Sequence, residues 1–189
     1  MRNDNKSLLM KEKILVVHPD DICSLNRDFF NIIYEGKDYD VIDDGEICDD
    51  ELRAQINTHD AIVLFWSGGA DGLIVWGNDG KPRHLIDDTH VDLLRGKRLL
   101  SIGGKEFFQR HGLSGFHTGT IILSCFEACL YDIEDYSDEE IRESLVSLML
   151  AIRDTMEMSD LQKMKRIILE RYNADDAITQ FNRNNIAVL

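Results

Sequence analysis

The sequence predicts a three-layer α/β fold with a mainly parallel sheet, a β-hairpin insertion and C-terminal helices. Short apolar runs of strand length alternate with segments whose apolar residues recur at helical spacing. The most apolar run, residues 61–66, contains no charged or amide side chain, as expected of a strand buried on both faces. Strands separated by helices pair in parallel through right-handed crossovers. The length of 189 residues suits one domain with one hydrophobic core.

The predicted elements follow one another in a regular order. The first strand ends at Pro19, and the helix after it stops at Gly36, a residue type that favours helix ends. The hairpin pairs residues 73–76 with residues 81–86, because the Asp-Gly step at 79–80 suits a tight turn. Parallel strands are predicted at residues 14–17, 39–42, 61–66, 98–102 and 119–124. Helices are predicted around residues 25–33, 52–56, 91–94 and 105–110, and residues 126–131 are predicted to form a helix or a bent extension of the fifth strand.

Two capping boxes mark the starts of the C-terminal helices. Ser137 with Glu140 precedes a long amphipathic helix, and Ser159 with Gln162 precedes a last helix at residues 161–172. We therefore expect three segments along the chain. They are a flexible leader at 1–11, an α/β domain at 12–156, and a C-terminal helix and tail at 157–189 that packs on the domain or on a second copy.

Composition narrows the classes of partner and location. The chain has 35 acidic and 21 basic residues, a net charge of -14 that repels phosphate backbones and anionic lipid head groups. No apolar run approaches the ~20 residues of a membrane helix, and the polar opening lacks the apolar stretch of a secretory signal. We expect a cytoplasmic protein that binds another protein or a small molecule, with no nucleic acid and no membrane as partner.

The carboxyl ends of parallel strands are where ligands gather in open α/β sheets, so the loops there hold the candidate site. Glycine and aspartate also serve turns in such loops, which is the structural alternative. The loops span residues 18–21, 43–46, 67–72 and 103–105. The candidate ligand-binding residues in them are His18, Asp20, Ser67, Gly68, Gly69, Asp71, Gly103, Gly104 and Lys105.

Two kinds of ligand chemistry are open at these loops. The Gly103-Gly104-Lys105 corner could bind an anion through backbone N–H groups and the lysine, although glycine there also permits close packing of helix on strand. Aspartates on separate loops could instead converge on Mg²⁺, which prefers carboxylate oxygen. These aspartates are Asp20, Asp21, Asp43 and Asp71. The spacing of neither set fixes a site, so no metal and no cofactor is predicted.

Cysteine and histidine residues could in principle form a nucleophilic pair. His111 and His117 precede the predicted strand at 119–124, and Cys125 and Cys129 follow it. A strand between them would place His117 at the opposite end from Cys125, too far for an imidazole to activate the thiol. The sequence therefore predicts reduced, buried structural cysteines and surface histidines, and it does not place His84.

The region from residue 12 to residue 125 resembles the caspase–hemoglobinase fold. In that family an apolar third strand ends in a His-Gly motif, a hairpin follows, and a fourth strand ends in the nucleophilic cysteine. Here DAIVLFW ends at Ser67-Gly68-Gly69, and the strand after LLRGK ends at Gly103-Gly104. Glycine stands at both catalytic places, so the resemblance implies the fold without the peptidase activity.

A second resemblance is to response-regulator receiver domains, carried by KILVVHPDD, an amphipathic helix and a DYDV strand. That family needs an acceptor aspartate after its third strand, where this chain has Phe65 and Trp66. Both resemblances imply a flavodoxin-like or caspase-like order of elements.

Three functions stay open from the sequence. The leading one is a non-peptidase binding or regulatory module of caspase-like architecture. The alternatives are a binder or enzyme for a small anionic ligand at the carboxyl-end loops, and a self-association module that uses the apolar C-terminus, residues 186–189.

Overall fold

A computed structural model describes residues 12–20 and 27–189 of the chain. Their fold is α/β, with a six-stranded sheet covered by helices on both faces and a separate two-stranded hairpin. The strands are β1 Ile14–Val17, β2 Asp40–Ile42, β3 Ala61–Phe65, β4 Leu73–Trp76, β5 Pro82–Ile86, β6 Arg98–Ile102, β7 Phe116–Thr118 and β8 Ile186–Val188. The helices are α1 Arg27–Phe30, α2 Asp49–Thr58, α3 Val91–Leu94, α4 Lys105–His111, α5 Cys125–Leu130, α6 Asp138–Arg153, α7 Leu161–Arg171 and α8 Ala177–Asn184.

The strand order of the large sheet is β2-β1-β3-β6-β7-β8. The first five strands pair in parallel, and β8 pairs antiparallel with β7. Strands β4 and β5 form the predicted hairpin between β3 and β6. The predicted α/β class with a mainly parallel sheet, a hairpin and C-terminal helices is therefore confirmed.

Alternate residues of the central strands enter two apolar clusters, one on each face of the sheet. Val63 and Phe65 of β3 pack with residues of α6 and α7, whereas Ile62 and Leu64 pack with residues of α2, α4 and the hairpin. This alternation is the period of two that a pleated strand imposes. It separates the molecule into three layers.

The fifth parallel strand lies earlier than predicted. Phe116–Thr118 forms β7, and residues 119–124 have no regular structure. Ile122 is buried there, but its N–H donates to the Oδ1 of Asn182 at 3.0 Å and not to a neighbouring strand. The prediction of a strand at this apolar run is wrong because a side-chain amide takes the place of a strand partner.

The C-terminal tail contains two elements that the sequence did not predict. Asp176 caps α8 by accepting from the N–H of Thr179, and β8 then joins the edge of the sheet. A three-residue strand is too short to show a period of two, so the sequence assigned these apolar residues to a tail that packs on the domain or on a second copy. Ile186 is buried in the sheet and Leu189 is exposed. Self-association through this segment stays a prediction.

The capping pattern is correct at α6 and shifted at α7. Ser137 and Glu140 form the predicted reciprocal box. At α7 the cap is Asp160, whose side chain accepts from the N–H of Lys163, and not Ser159. Aspartate and serine have similar cap preferences, so adjacent candidates are hard to separate by sequence.

Burial of the cysteines and histidines differs from the prediction. Cys48, Cys125 and Cys129 are exposed, so they are not core cysteines. Four histidines are buried, among them His117, because the strand that carries it lies inside the sheet. Within the described ranges, no helix is both long and apolar enough to span a membrane.

Candidate functional site

The candidate site lies where β3 and β6 end side by side. Trp66 directly follows β3, and its N–H donates to the carbonyl of Ile102, the last residue of β6, at 2.9 Å. Its side chain is only 5% exposed. The indole packs on Phe107 of α4 at a ring-centroid distance of 4.8 Å and on Phe108 at 6.3 Å. The corner is therefore filled by an aromatic cluster.

Gly103 and Gly104 leave room for that indole. Both have positive φ, +89° and +74°, which only glycine adopts without strain. A Cβ on Gly104 would lie 2.7 Å from the Trp66 ring, and one on Gly103 would lie 3.1 Å from the Trp66 Cβ. The glycines thus permit close packing of strand, helix and aromatic ring, which is the structural alternative that the sequence left open.

Two side-chain hydroxyls fix the Gly103 backbone. Ser101 donates to the Gly103 carbonyl at 2.9 Å, and the Gly103 N–H donates to the Oγ1 of Thr118 at 2.8 Å. Ser101 and Thr118 are both buried. Because each hydroxyl is committed to the backbone, this pair shapes the corner and does not present a nucleophile.

The loop at residues 67–72 is tied to the hairpin and to α4. The Ile74 N–H donates to the Ser67 carbonyl at 2.7 Å, and Asp71 pairs with Arg110 of α4. Gly68 is exposed, has a φ of +119°, and packs so close to the Gly72 carbonyl that a Cβ would lie 2.4 Å from it. Gly69 is exposed, with open space around its Cα. These contacts fix the conformation of the loop.

His18 lies on the other face of the sheet from Trp66. Its ring stacks on Phe65 at 3.9 Å and 12°, and its Nδ1 is 3.1 Å from the hydroxyl of Tyr34. His18 is fully buried, whereas Asp20 is exposed and its N–H donates to the Asp43 carbonyl at 2.9 Å. The sheet thus separates the His18 imidazole from the Gly103-Gly104 corner, although both follow strand ends.

The proposed magnesium ligands do not form a described site. Asp71 is engaged by Arg110, and Asp21 lies outside the described residues. In residues 12–20 and 27–189, no group of three or more histidine, cysteine or carboxylate side chains could hold a metal ion.

His117 is the most unusual polar group beside this corner. It is fully buried on β7 in register with Ser101, and its ring lies 6.0 Å from that of Phe108. Among the described residues, neither ring nitrogen makes a hydrogen bond of ordinary geometry, which is rare for buried polar atoms, and only a weaker interaction with the Thr118 backbone favours the charged ring. Burial, with help from the Lys105 charge, holds the pKa of His117 below its usual value of about 6.5. The imidazole is therefore neutral at pH 7.

Lys105 begins α4 next to β7 and the C-terminal strand. Its Cδ would lie 3.5 Å from a Cβ on Gly119, and the Asn185 side chain borders the same point. With seven residues, α4 is short, and the Gly104 N-cap offers no side-chain acceptor. The lysine therefore contributes charge near His117 without completing an anion site.

The exposed thiol of Cys125 is not activated. The Asp138 carboxylate beside the Cys125 thiol raises the pKa of that thiol, which disfavours the reactive thiolate. His117 is buried inside the sheet, while Cys125 begins an exposed helix. The structure lacks the strand at 119–124 from which their separation was predicted, so that separation stays a prediction.

Sequence reasoning selected the two strand ends but missed the side chain that joins them. Trp66 was assigned to the end of a strand, and its role as a cover for Gly104 was not predicted. A signal was present, because a large aromatic residue after one central strand and two glycines after the next complement each other in volume. No protein-family model matches the chain, and a search of curated proteins finds no match to it.

Replacing His117 with leucine is expected to raise the free energy of unfolding by about 1–3 kcal/mol at pH 7. The exchange removes two buried nitrogens that lack good hydrogen bonds and fills the same space with an apolar side chain of similar size. The matched control is His90→Leu, which should be destabilising because the buried His90 Nδ1 lies 3.0 Å from Asp87 Oδ1. Urea denaturation of both variants measures the change in unfolding free energy, which should be positive for His117→Leu and negative for His90→Leu. A destabilising His117→Leu would contradict the absence of good hydrogen bonds at His117.

The advantage of His117→Leu should also grow as pH falls. A histidine whose folded pKa is depressed binds fewer protons in the folded state than in the unfolded state, so protonation favours unfolding. Wild-type protein therefore loses stability as pH drops below about 6.5, towards the lower folded pKa, and the leucine variant lacks this contribution. The unfolding free energy of each protein is measured at pH 7.5 and at pH 5.5, and the gap between variant and wild type should be larger at pH 5.5.

Proposed function

We propose that the chain is a binding domain with the caspase–hemoglobinase order of elements and without peptidase activity. The described order supports this: an apolar third strand, then a hairpin, then a further parallel strand that ends beside the third. The family would place a histidine after β3 and a cysteine after β6. This chain has Ser67 and Gly68 at the first place and Gly103 and Gly104 at the second.

The packing of Trp66 is the observation that carries the proposal. The indole occupies the space beside Gly104, between the two strand ends where a catalytic pair would meet. A cysteine at either glycine would meet the Trp66 side chain, because even a Cβ there lies within 3.1 Å of it. The corner therefore stabilises the fold and holds no catalytic pair, and binding would use the outer surfaces of the domain.

The first test is an assay for proteolysis. Purified full-length protein is incubated with a mixed peptide library, and cleavage is followed by mass spectrometry beside an alkylating probe of thiols. We expect no cleavage above the blank, because no hydrogen bond joins a thiol of the described residues to an imidazole. We expect the probe to label Cys48 and Cys129, because both are exposed.

A matched variant distinguishes true activity from contamination. Cys125→Ser removes an exposed thiol whose carboxylate neighbour disfavours the thiolate, so library profiles with and without it should be the same. Cleavage by wild-type protein that this variant, or the equivalent serine variant at Cys48 or Cys129, abolishes would refute the proposal.

A further inference from the structure

The two most exposed large apolar side chains of the described residues lie on α5, and a third exposed one, Tyr131, directly follows the helix. Phe126 is 71% exposed, Leu130 is 66% exposed and Tyr131 is 43% exposed. Phe126 and Leu130 are four residues apart, so they share one face of the helix. We name Phe126, Leu130 and Tyr131 the α5 surface. Isolated exposed apolar residues are normal, but neighbouring ones of this size mark interaction sites.

The α5 surface is held in place by its own backbone contacts. Ser124 caps the helix by accepting from the Glu127 N–H, and Glu127 accepts from the Leu123 N–H at 2.6 Å. The Cys125 N–H donates to the Asp138 carboxylate at 2.8 Å, and Ala128 is buried beneath the helix. Apolar side chains on a fixed short helix are pre-ordered, which lowers the entropy that binding costs.

Tyr131 links the α5 surface to the C-terminal helices. Its ring packs on Phe181 of α8 at 4.6 Å and 45°. The contact positions the tyrosine, while its exposed fraction remains available to a partner. The surface is therefore continuous with the body of the domain.

The charged residues of the segment that carries the α5 surface are all acidic. Residues 125–140 contain seven acidic residues and no Lys, Arg or His, which accounts for half of the net charge of -14. Within the described part of the chain, none of the seven forms an ion pair with a basic side chain. We name these residues the acidic rim: Glu127, Asp132, Glu134, Asp135, Asp138, Glu139 and Glu140.

The exposed apolar side chains and their acidic neighbours together narrow the kinds of partner that could bind. A second copy would bring an identical acidic rim against the first, and like charges repel across an interface. Nucleic acid and anionic lipid carry the same sign of charge. A helical segment with apolar residues at i, i+3 and i+4 and basic residues on its flanks would satisfy both the apolar face and the acidic rim.

We propose that the α5 surface docks a basic amphipathic helical segment of a partner protein. The proposal rests on the binding role given above and names the surface and the partner chemistry for it. Phe126 and Leu130 bury the apolar face of the segment, and the acidic rim speeds its association and selects for Lys and Arg.

The test uses the full-length protein and synthetic peptides. A labelled 18-residue helical peptide of leucine and lysine in amphipathic order is titrated with the protein and followed by fluorescence anisotropy at about 50 and 300 mM salt, conditions that change the screening length. A leucine-glutamate peptide of the same pattern and a scrambled leucine-lysine peptide are the controls. We expect saturable binding of the first peptide alone, weaker at the higher salt.

Two variant pairs decide whether binding occurs at the α5 surface. The double variant Phe126→Ala and Leu130→Ala should weaken binding on the order of tenfold or more, whereas Leu150→Ala, at an exposed position on α6, should not change it. Because the replaced side chains are exposed, the melting temperatures of the variants should stay near that of the wild type. Melting curves for each variant accompany the titrations.

The second pair separates the local acidic rim from net charge. Replacing three acids of the rim with amides should weaken binding and reduce its salt dependence, and replacing three exposed acids elsewhere should do so far less. The rim variant is Asp132→Asn, Glu134→Gln and Asp135→Asn, since asparagine tolerates the positive φ of the two aspartates. The control is Asp50→Asn, Glu51→Gln and Asp92→Asn, which changes net charge equally.

Three results would overturn the proposal: no saturable binding, equal losses in the α5 variants and their controls, or a dimer of the protein alone that Phe126→Ala and Leu130→Ala dissociates. None of these results affects the outcome of the peptidase assay, which tests the other proposal independently. The mass of the peptide after each titration also shows whether it was cleaved, so the two proposals fail by different observations.

Discussion

Replacing Trp66 with alanine is expected to lower the free energy of unfolding by about 3–5 kcal/mol. The indole is almost fully buried between the ends of β3 and β6 and packs on Phe107 and Phe108. Alanine would remove this contact area and leave a cavity above Gly103 and Gly104, because those residues have no side chains to collapse into it. Urea denaturation measured by circular dichroism gives the unfolding free energy directly.

The chain supplies a matched control in its second tryptophan. Trp76 ends strand β4 of the hairpin and is 37% exposed, compared with 5% for Trp66. Trp76→Ala should therefore cost clearly less than Trp66→Ala. Equal costs for the two variants would show that the corner is not the packed cluster that the contacts indicate. A loss of 3–5 kcal/mol is a large share of the ~5–15 kcal/mol that stabilises a typical domain, so this one side chain has a large effect on folding.

The interior of the sheet was predictable because its signal is local. Residues 61–65 are a strand-length apolar run and residues 98–102 are mostly apolar, each between turn residues, and both are central strands of the sheet. The hairpin was predictable for the same reason, since Asp79-Gly80 supplies a turn between two short β patterns. In each case, the information that determines the element lies within about ten residues of it.

The edge of the sheet was less predictable because its partners are remote in sequence. Strand β7 is three residues long and is defined by pairing with β6 on one side and with β8 on the other. The run at 121–123 looked more strand-like, but the Ile122 N–H is satisfied by Asn182, sixty residues away. No local pattern reports such a contact.

The candidate site shows the same division. The strand ends at Ser67 and Gly103 were located from the sequence, because the carboxyl ends of neighbouring parallel strands meet at one edge. What fills that edge was not located, because the meeting of Trp66 with Gly104 depends on the register of two strands and on the entry angle of α4. The exposed face of α5 was also missed, since burial of Ala128 and exposure of Phe126 depend on which side of a short helix meets the domain.

Replacing Gly104 with alanine is expected to cost about 2–5 kcal/mol, from two sources. The residue has a φ of +74°, which costs a non-glycine residue about 1–2 kcal/mol. The new Cβ would also lie 2.7 Å from the indole of Trp66, and overpacking of this kind costs about 1–3 kcal/mol more. Denaturant unfolding of the variant measures the total.

Gly112, at the opposite end of α4, separates these two sources. It has a φ of +59°, and a Cβ added there would meet nothing within 4 Å, so Gly112→Ala should show the backbone cost alone. In a Trp66→Ala background, Gly104→Ala should then cost no more than Gly112→Ala, because the ring that it would strike is gone. A coupling energy near zero in this double-mutant cycle would contradict direct packing of the two residues. A clear coupling would instead assign Gly104 to the support of Trp66 at the ends of β3 and β6.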